Sequence, residues 1–395
     1  MTSGKATQEG NMLFWGLLIV GIILAAVGGY GVFMRQTLGV VDWIWGLYVV
    51  AYVFFGLAAA GSELVAAVNK VFKVDERLSK YSRYIVYGAL ATLLPSFVAI
   101  LTDLGALQNF MWIFLGFNPT SRIAWMGILY TLLALGLLAE LVLEMWGRSH
   151  GTGFLSFVIA LGLLAIFTYT NLGAIFGASY GIPAWTGVMS AFWFPVAGLA
   201  VGISVQAPIL AISDKIRHGR VRPELVELVT TRHIWWATFA MLINGFLLLW
   251  YTTQAYYNPP VNFMLNEMTS GVLSPLFWTG LVLGFVIPLV LGLYAAFRRS
   301  FALSMVTFVL YALGIALSIT VFVAGGQLAR IWMDAVLTSK FAEAPKLVDE
   351  FLSSMASEWQ ILAFNFGFWF ILLALGIKLL ALEKGEKPRR LFIFR

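Results

Sequence analysis

The chain has 395 residues, 61% of them hydrophobic and 11% charged, with 25 Lys and Arg against 19 Asp and Glu for a net charge of +6. A soluble domain is about a quarter charged, so a water-soluble globule is excluded. Cys is absent, which excludes disulfides, thiol catalysis and Fe–S clusters held by this chain.

Only α-helices or closed barrels satisfy the backbone in lipid. The apolar runs here are continuous rather than alternating, so an all-α integral membrane protein of about ten spans is expected, one polytopic domain over 1–395. The polar N-terminus MTSGKATQEGN precedes a first run near 12–34. That run is long enough to span and lacks a small-residue cleavage site, so it reads as an uncleaved anchor. Span 2, near 44–69, enters from the outer side at VDWIWGLYVVAYVFFGLAAAGSELV; it carries Trp45 and Tyr48 at that end and Glu63 at the other. Span 3, near 83–105, leaves at SFVAILTDLG with Asp103. The outer loop ALQNFMWIFLGFNPTS holds Asn118 and Ser121, a good N-cap for the next helix. Span 4, near 122–146, has Trp125 and Tyr130 toward its outer end and Glu140 and Glu144 toward its inner end. Span 5, near 153–173, leads into TNLGAIFG with Asn171, and span 6, near 186–212, follows ASYGIPAW. Further spans lie near 233–253, 272–296, 300–324 and 359–382. Segment 325–358 has apolar residues at helical spacing around Pro345 and reads as two amphipathic helices at the outer surface. They form either a lid on the bundle or a docking surface for a partner subunit. The basic tail after the last span suits anionic lipid or a cytoplasmic partner.

Ten spans put both termini on one side. Of the 25 Lys and Arg, 20 lie on that side and five, Arg35, Arg122, Arg330, Lys340 and Lys346, on the other. Cytoplasmic loops carry the positive excess, so both termini are expected in the cytoplasm. The net charge then reports topology and anionic lipid, and no nucleic-acid partner is expected.

Redox groups have few ligands to draw on. The three His residues, His150, His218 and His233, fall in cytoplasmic loops or at the cytoplasmic end of span 7. No facing pair exists for an intramembrane haem b, no metal site is read, and no P-loop occurs. What stands out is convergence at one depth. Trp45, Tyr48, Asp103, Asn118, Ser121, Trp125, Tyr130 and Asn171 all lie toward the outer ends of successive helices. Each has an ordinary role open to it: interfacial belt for the Trp residues, helix cap for Asn118 and Ser121, loop cap or Arg122 partner for Asp103. Together they make an amphipathic pocket able to hold a polar ring. Glu63, Glu140 and Glu144 either pair with loop bases such as Arg148 or the Lys70–Arg83 cluster, or form, with Asp103, a proton route from the cytoplasm to the outer site.

The strings WGLYVVAYVFFGLAAAG, LTDLG, NPTSRIAWMGILY, TNLGAIFG, the Pro183-Ala184-Trp185 step and FWFPVAGLAVG resemble, in order and spacing, the NrfD/PsrC family of polysulfide-reductase-like membrane subunits. Closest in look is its ten-span branch, such as DsrP of DsrMKJOP-type complexes. The resemblance covers roughly 40–210 and implies a quinone-reactive helical bundle over 40–212. It implies a quinone, menaquinone-type, as the redox partner in the membrane, with no haem or Fe–S cluster on this chain. It further implies a ferredoxin-like Fe–S subunit docked on the outer face, further catalytic or cytochrome subunits, sulfur-compound respiration, and the plasma membrane of a prokaryote. By position, Asp103 matches the acidic residue of the D-L-G motif, Asn118, Ser121 and Trp125 match the outer loop and following helix, and Asn171 matches the N-L-G motif. Other branches place a quinone-binding His near the start of span 2; residues 1–149 contain none here, so that contact is either absent or replaced by Trp45 or Tyr48. Two other classes stay open: a secondary transporter, which calls for midplane polar sites on broken helices, and a purely structural membrane anchor.

Overall fold

A computed structural model describes residues 2–38, 45–103 and 110–388. Among these residues there is no β-sheet. The helices are α1 (Thr2–Leu38), α2 (Leu47–Phe72), α3 (Glu76–Lys80), α4 (Ser82–Asp103), α5 (Trp112–Leu115), α6 (Arg122–Met145), α7 (Gly151–Gly177) and α8 (Met189–His218). After these come α9 (Pro223–Leu228), α10 (Ile234–Thr253), α11 (Pro259–Thr269), α12 (Ser274–Leu281), α13 (Ile287–Arg298), α14 (Phe301–Thr338), α15 (Ala344–Ser357) and α16 (Trp359–Leu379). Among the described residues ten segments are long and apolar enough to cross a membrane, and they match one for one the ten runs expected from sequence.

The centre of the bundle is α2. Its most apolar stretch is 94% buried inside the protein, against 17% for α1. It packs on α4, α7, α8, α14 and α16. The small residues of GLAAAG let neighbours come close, as small residues do where lipid gives no hydrophobic drive to association. Polar ties add to this: Ser62 Oγ donates to the Gly202 carbonyl of α8 at 3.2 Å, and Gln206 Nε2 to the Ser62 carbonyl at 3.4 Å. By contrast α1 packs chiefly on α16 and leaves Trp15, Ile19 and Ile23 exposed, as a lipid-facing helix does. On the side read as cytoplasmic, α16 is capped from outside itself. Arg217 donates to the carbonyls of Ile377 and Leu380, and Arg83 to those of Ala381, Glu383 and Glu386. The carbonyls of Ile377 and Leu380 are among those a helix end cannot satisfy internally, and the other three belong to the chain just beyond it.

Segment 325–358 differs from the expectation of two surface helices. α14 runs unbroken to Thr338, and Gly325–Ala329 are buried. That stretch is small and apolar and packs within the bundle, where α14 lies against α8 and α11, so the transmembrane helix continues through it. Only α15 is a separate amphipathic helix, with Val348, Phe351 and Met355 buried. Pro345 stands in its first turn, where a missing N–H costs nothing. The connection before α12 contains α11, an 11-residue helix too short to register as a span.

Candidate functional site in the outer half of the bundle

A cavity of about 80 Å³ lies between α2, α4, α5, α6 and α7. It occupies the end of the bundle that the charge bias assigns to the outside. Val49 and Tyr52 of α2, Phe97 and Ile100 of α4, and Met126 and Tyr130 of α6 face it. Trp45, just before α2, and Ile175 and Phe176 of α7 complete one wall. At about 1.5 Å rise per residue, Tyr130 sits roughly 12 Å inside the start of α6. The walls are almost wholly apolar. The lining residues whose side chains carry N–H or O–H groups are Tyr52, Tyr130 and Trp45.

The two tyrosines are placed by α4. Pro95 interrupts the α4 hydrogen-bond ladder. The next residue, Ser96, donates through Oγ to the Tyr52 carbonyl at 2.7 Å and lies 3.3 Å from the Tyr130 hydroxyl. With the Ser96 proton used, its oxygen accepts from Tyr130. The Tyr52 and Tyr130 rings meet at 5.2 Å, and Phe97 closes on Tyr130 edge-on at 5.5 Å. Across the cavity Trp45 has φ +113°, a conformation that surroundings must impose on a residue other than glycine. Its ring stacks on Trp185 at 5.0 Å and meets Phe176 edge-on at 5.1 Å. The Trp185 indole donates to the Phe322 carbonyl of α14 at 2.9 Å, which ties this wall to the second half of the chain.

Of the eight outer residues read from sequence, Trp45 and Tyr130 line the cavity. Three others build the start of α6. Asn118 Oδ1 accepts from Thr120, Ser121 Oγ accepts from the Ala124 amide at 3.2 Å, and the Trp125 indole donates to the Pro119 carbonyl at 2.9 Å. Asn171 is buried and donates to the Arg122 carbonyl at 3.0 Å, fastening α7 to α6. Tyr48 is buried beneath Arg35, whose guanidinium stands 5.3 Å above its ring. Asp103 ends α4 and is exposed. It lies one turn beyond Ile100 on the same helix face, and Arg35 is near enough for its charge to act on it. The rest of the D-L-G string, at 104–105, falls outside the described residues.

With the geometry in place, comparison with known proteins assigns the architecture. A family model described as polysulphide reductase, NrfD, matches residues 32–331. The chain belongs to the NrfD family. It is also similar, at 23% identity over 296 residues covering 73% of each chain, to the Hdr-like menaquinol oxidoreductase integral membrane subunit of Archaeoglobus fulgidus.

This NrfD-family chain has a second polar cluster at the other end of the same helices. Lys70 of α2 bonds Glu140 of α6 and lies 2.8 Å from Glu144. Ser82 Oγ donates to Glu144 Oε1 at 2.7 Å. So Lys70 is the base that pairs with these carboxylates; Arg148 instead stands over the Trp146 ring. Glu63 is fully buried beside them, and neither of its oxygens has a partner among the described residues. Tyr169 of α7, its hydroxyl likewise without a hydrogen-bond partner among the described residues, is close enough to Glu63 to feel its charge. Outside the spans, Asp75 accepts from the Arg77 amide at 2.9 Å and from its guanidinium at 2.6 Å, and Arg77 holds the Asp75 carboxyl below the usual carboxylate range. Sequence reading missed Tyr52, although it stands four residues, one helical turn, after Tyr48. It also missed Glu358, which no local motif marks.

Proposed function

We propose that this chain is the quinone-reactive membrane subunit of a multi-subunit oxidoreductase complex, and that the outer cavity takes the head ring of a membrane quinol. One observation carries the reading: an apolar slot between four spanning helices whose lining includes three side chains with N–H or O–H groups, those of Tyr52, Tyr130 and Trp45. The NrfD family and the menaquinol oxidoreductase name of the Archaeoglobus relative support the substrate class, and menaquinol is the quinol we assign. A slot of about 80 Å³ is smaller than the roughly 150 Å³ that admits benzene. The head ring therefore enters by displacing part of a wall.

Oxidation of a quinol releases two electrons and two protons. Tyr130 accepts a hydrogen bond from the quinol hydroxyl while donating to Ser96, and turns to donate once the oxygen becomes a carbonyl. Trp45 and Phe176, which meet edge-on, form the wall against which the ring packs. Asp103, one turn outward, takes the two protons in turn and passes each to the outer water. Electrons leave to a ferredoxin-like Fe–S subunit on the outer face, since this chain has no Cys to hold a cluster. Further catalytic or cytochrome subunits, sulfur-compound respiration and the plasma membrane of a prokaryote complete the assignment. Asn118, Ser121, Trp125 and Asn171 act by seating α6, and Tyr48 by its place under Arg35. Glu63, Glu140 and Glu144 form a proton access from the cytoplasm. Eleven residues of α2 separate Tyr52 from Glu63, about 16 Å, so any route between the two ends passes through the core around α2.

The test is binding of a short-tailed naphthoquinone to the purified chain, compared with Tyr130→Phe. Losing one hydrogen bond costs about 0.5–1.5 kcal/mol, so affinity should fall roughly three- to tenfold while the ring keeps its packing. An analogue that does not bind, or binds equally well without the hydroxyl, would count against the site.

A further inference from the structure

The cavity wall is held from a distant point in the chain. α2 begins at Gly46, which has no side chain with which to cap it. Its first two amides, of Leu47 and Tyr48, instead donate to Oε2 of Glu358, the Tyr48 contact being 3.3 Å. Glu358 lies between α15 and α16 and is 3% exposed. Its other oxygen accepts from Arg35 Nη2 at 3.0 Å, and the same guanidinium covers the Tyr48 ring. A Cβ on Gly46 would lie 2.1 Å from Oε2, so glycine is what lets the carboxylate reach the helix end. A carboxylate at this position also complements the positive end of the α2 dipole. Trp45, the residue next to this contact, carries the strained φ and forms the wall.

We propose that Glu358 is a positioning residue for the outer cavity. Resting on the quinone reading above, it fixes the start of α2 so that Trp45 and Val49 close on the head ring, and it sets quinone affinity without touching the quinone. Residue 358 lies beyond the 32–331 region that the family model matches, so this wall is completed by a part of the chain outside the family match. The final helices thus have a role in the site as well as in the bundle.

The experiment uses the full chain with two readouts. One is affinity for a short-tailed naphthoquinone on the purified chain, with KM and kcat read on the intact complex, which supplies the electron acceptor. The other is alkylation of Val49→Cys by a maleimide, clean because the chain has no Cys; Val49 is 5% exposed and should react slowly. In Glu358→Ala, loss of the cap should weaken analogue binding and raise KM about tenfold. Alkylation should accelerate by a similar factor, with kcat within about twofold of wild type. Glu358→Gln keeps an acceptor for Leu47 and Tyr48 and should fall between the two; it carries the test alone if Glu358→Ala does not fold. Unchanged affinity and unchanged alkylation in the folded variants would overturn the proposal. So would a kcat loss at unchanged affinity, which would put Glu358 in the chemistry. If the wild type binds no analogue, the quinone reading fails, and the alkylation rates still decide whether Glu358 fixes α2.

Discussion

Gly56 and Tyr130 fit so closely that a methyl group on the one would overlap the hydroxyl of the other: a Cβ at Gly56 would lie 1.7 Å from the Tyr130 hydroxyl oxygen. Backbone of α2 therefore forms the seat for the phenol that faces the cavity. Gly56→Ala should push Tyr130 off Ser96 and into the slot. Overpacking of this kind costs about 1–3 kcal/mol, too little to unfold a ten-span bundle. The expected result is an assembled complex whose quinol turnover is reduced more than its amount, measured as activity per intact complex. Full activity in Gly56→Ala would mean that Tyr130 does not meet the substrate.

Asp103 is exposed at the end of α4 and supports no helix cap among the described residues. Asp103→Asn keeps the size and most hydrogen bonding but removes proton exchange. Assembly should be intact while turnover falls about 10²–10⁴-fold, normalised to intact complex. Poor assembly with normal turnover per complex would instead assign Asp103 to structure.

Lys70 and Glu63 should behave oppositely on melting. Lys70 is the cation between Glu140 and Glu144, and removing one partner of a buried pair costs about 3–5 kcal/mol. Lys70→Met should lower the melting temperature clearly. Glu63 has no partner for either oxygen among the described residues, so Glu63→Gln should melt at or above the wild-type temperature. A large loss in Glu63→Gln would reveal a bonded carboxylate.

Asp75 predicts a pH dependence. Arg77 holds its carboxyl below the ordinary value, so the contact stabilises the fold above the unfolded value of about 3.9. That contribution is lost as pH falls through the lower folded value. Asp75→Asn keeps the helix cap but loses the charge pairing with Arg77 and should cost about 0.2–1 kcal/mol at neutral pH, and the difference from wild type should close below about pH 4. Thermal melts between pH 7 and 3 read this directly; a gap that stays constant would show that the charge is irrelevant.

Single Cys residues test the orientation expected from Lys and Arg. Arg220 and Lys340 are both exposed, on opposite ends of the bundle by span count. In intact cells an impermeant maleimide should label Lys340→Cys and spare Arg220→Cys. The reverse pattern would invert the protein and move the cavity to the cytoplasmic face.

Much of this protein was legible along the chain. Lipid imposes the length and apolarity of each span locally, so all ten appear in the sequence, most with ends off by a few residues, although the ninth runs on from the expected 324 to Thr338. The Ser121 cap is read the same way, because cap and amide lie three residues apart. The depth of the polar and aromatic residues follows from counting along each helix. Which way each one faces does not. In a soluble helix the apolar stripe marks the core, but in a membrane both core and lipid are apolar, so the pattern leaves rotation about the helix axis undecided. Trp125 and Tyr130 stand five residues apart on one helix, and only packing sends Tyr130 to the cavity and Trp125 to the Pro119 carbonyl. Likewise α14 continues where a surface helix was expected, because burial against its neighbours settles what amphipathic spacing cannot. Glu358 reaches the first amides of α2 from more than three hundred residues away. No local rule relates two such positions; the contact exists because α1, α2 and α16 pack side by side, and tertiary structure alone decides that.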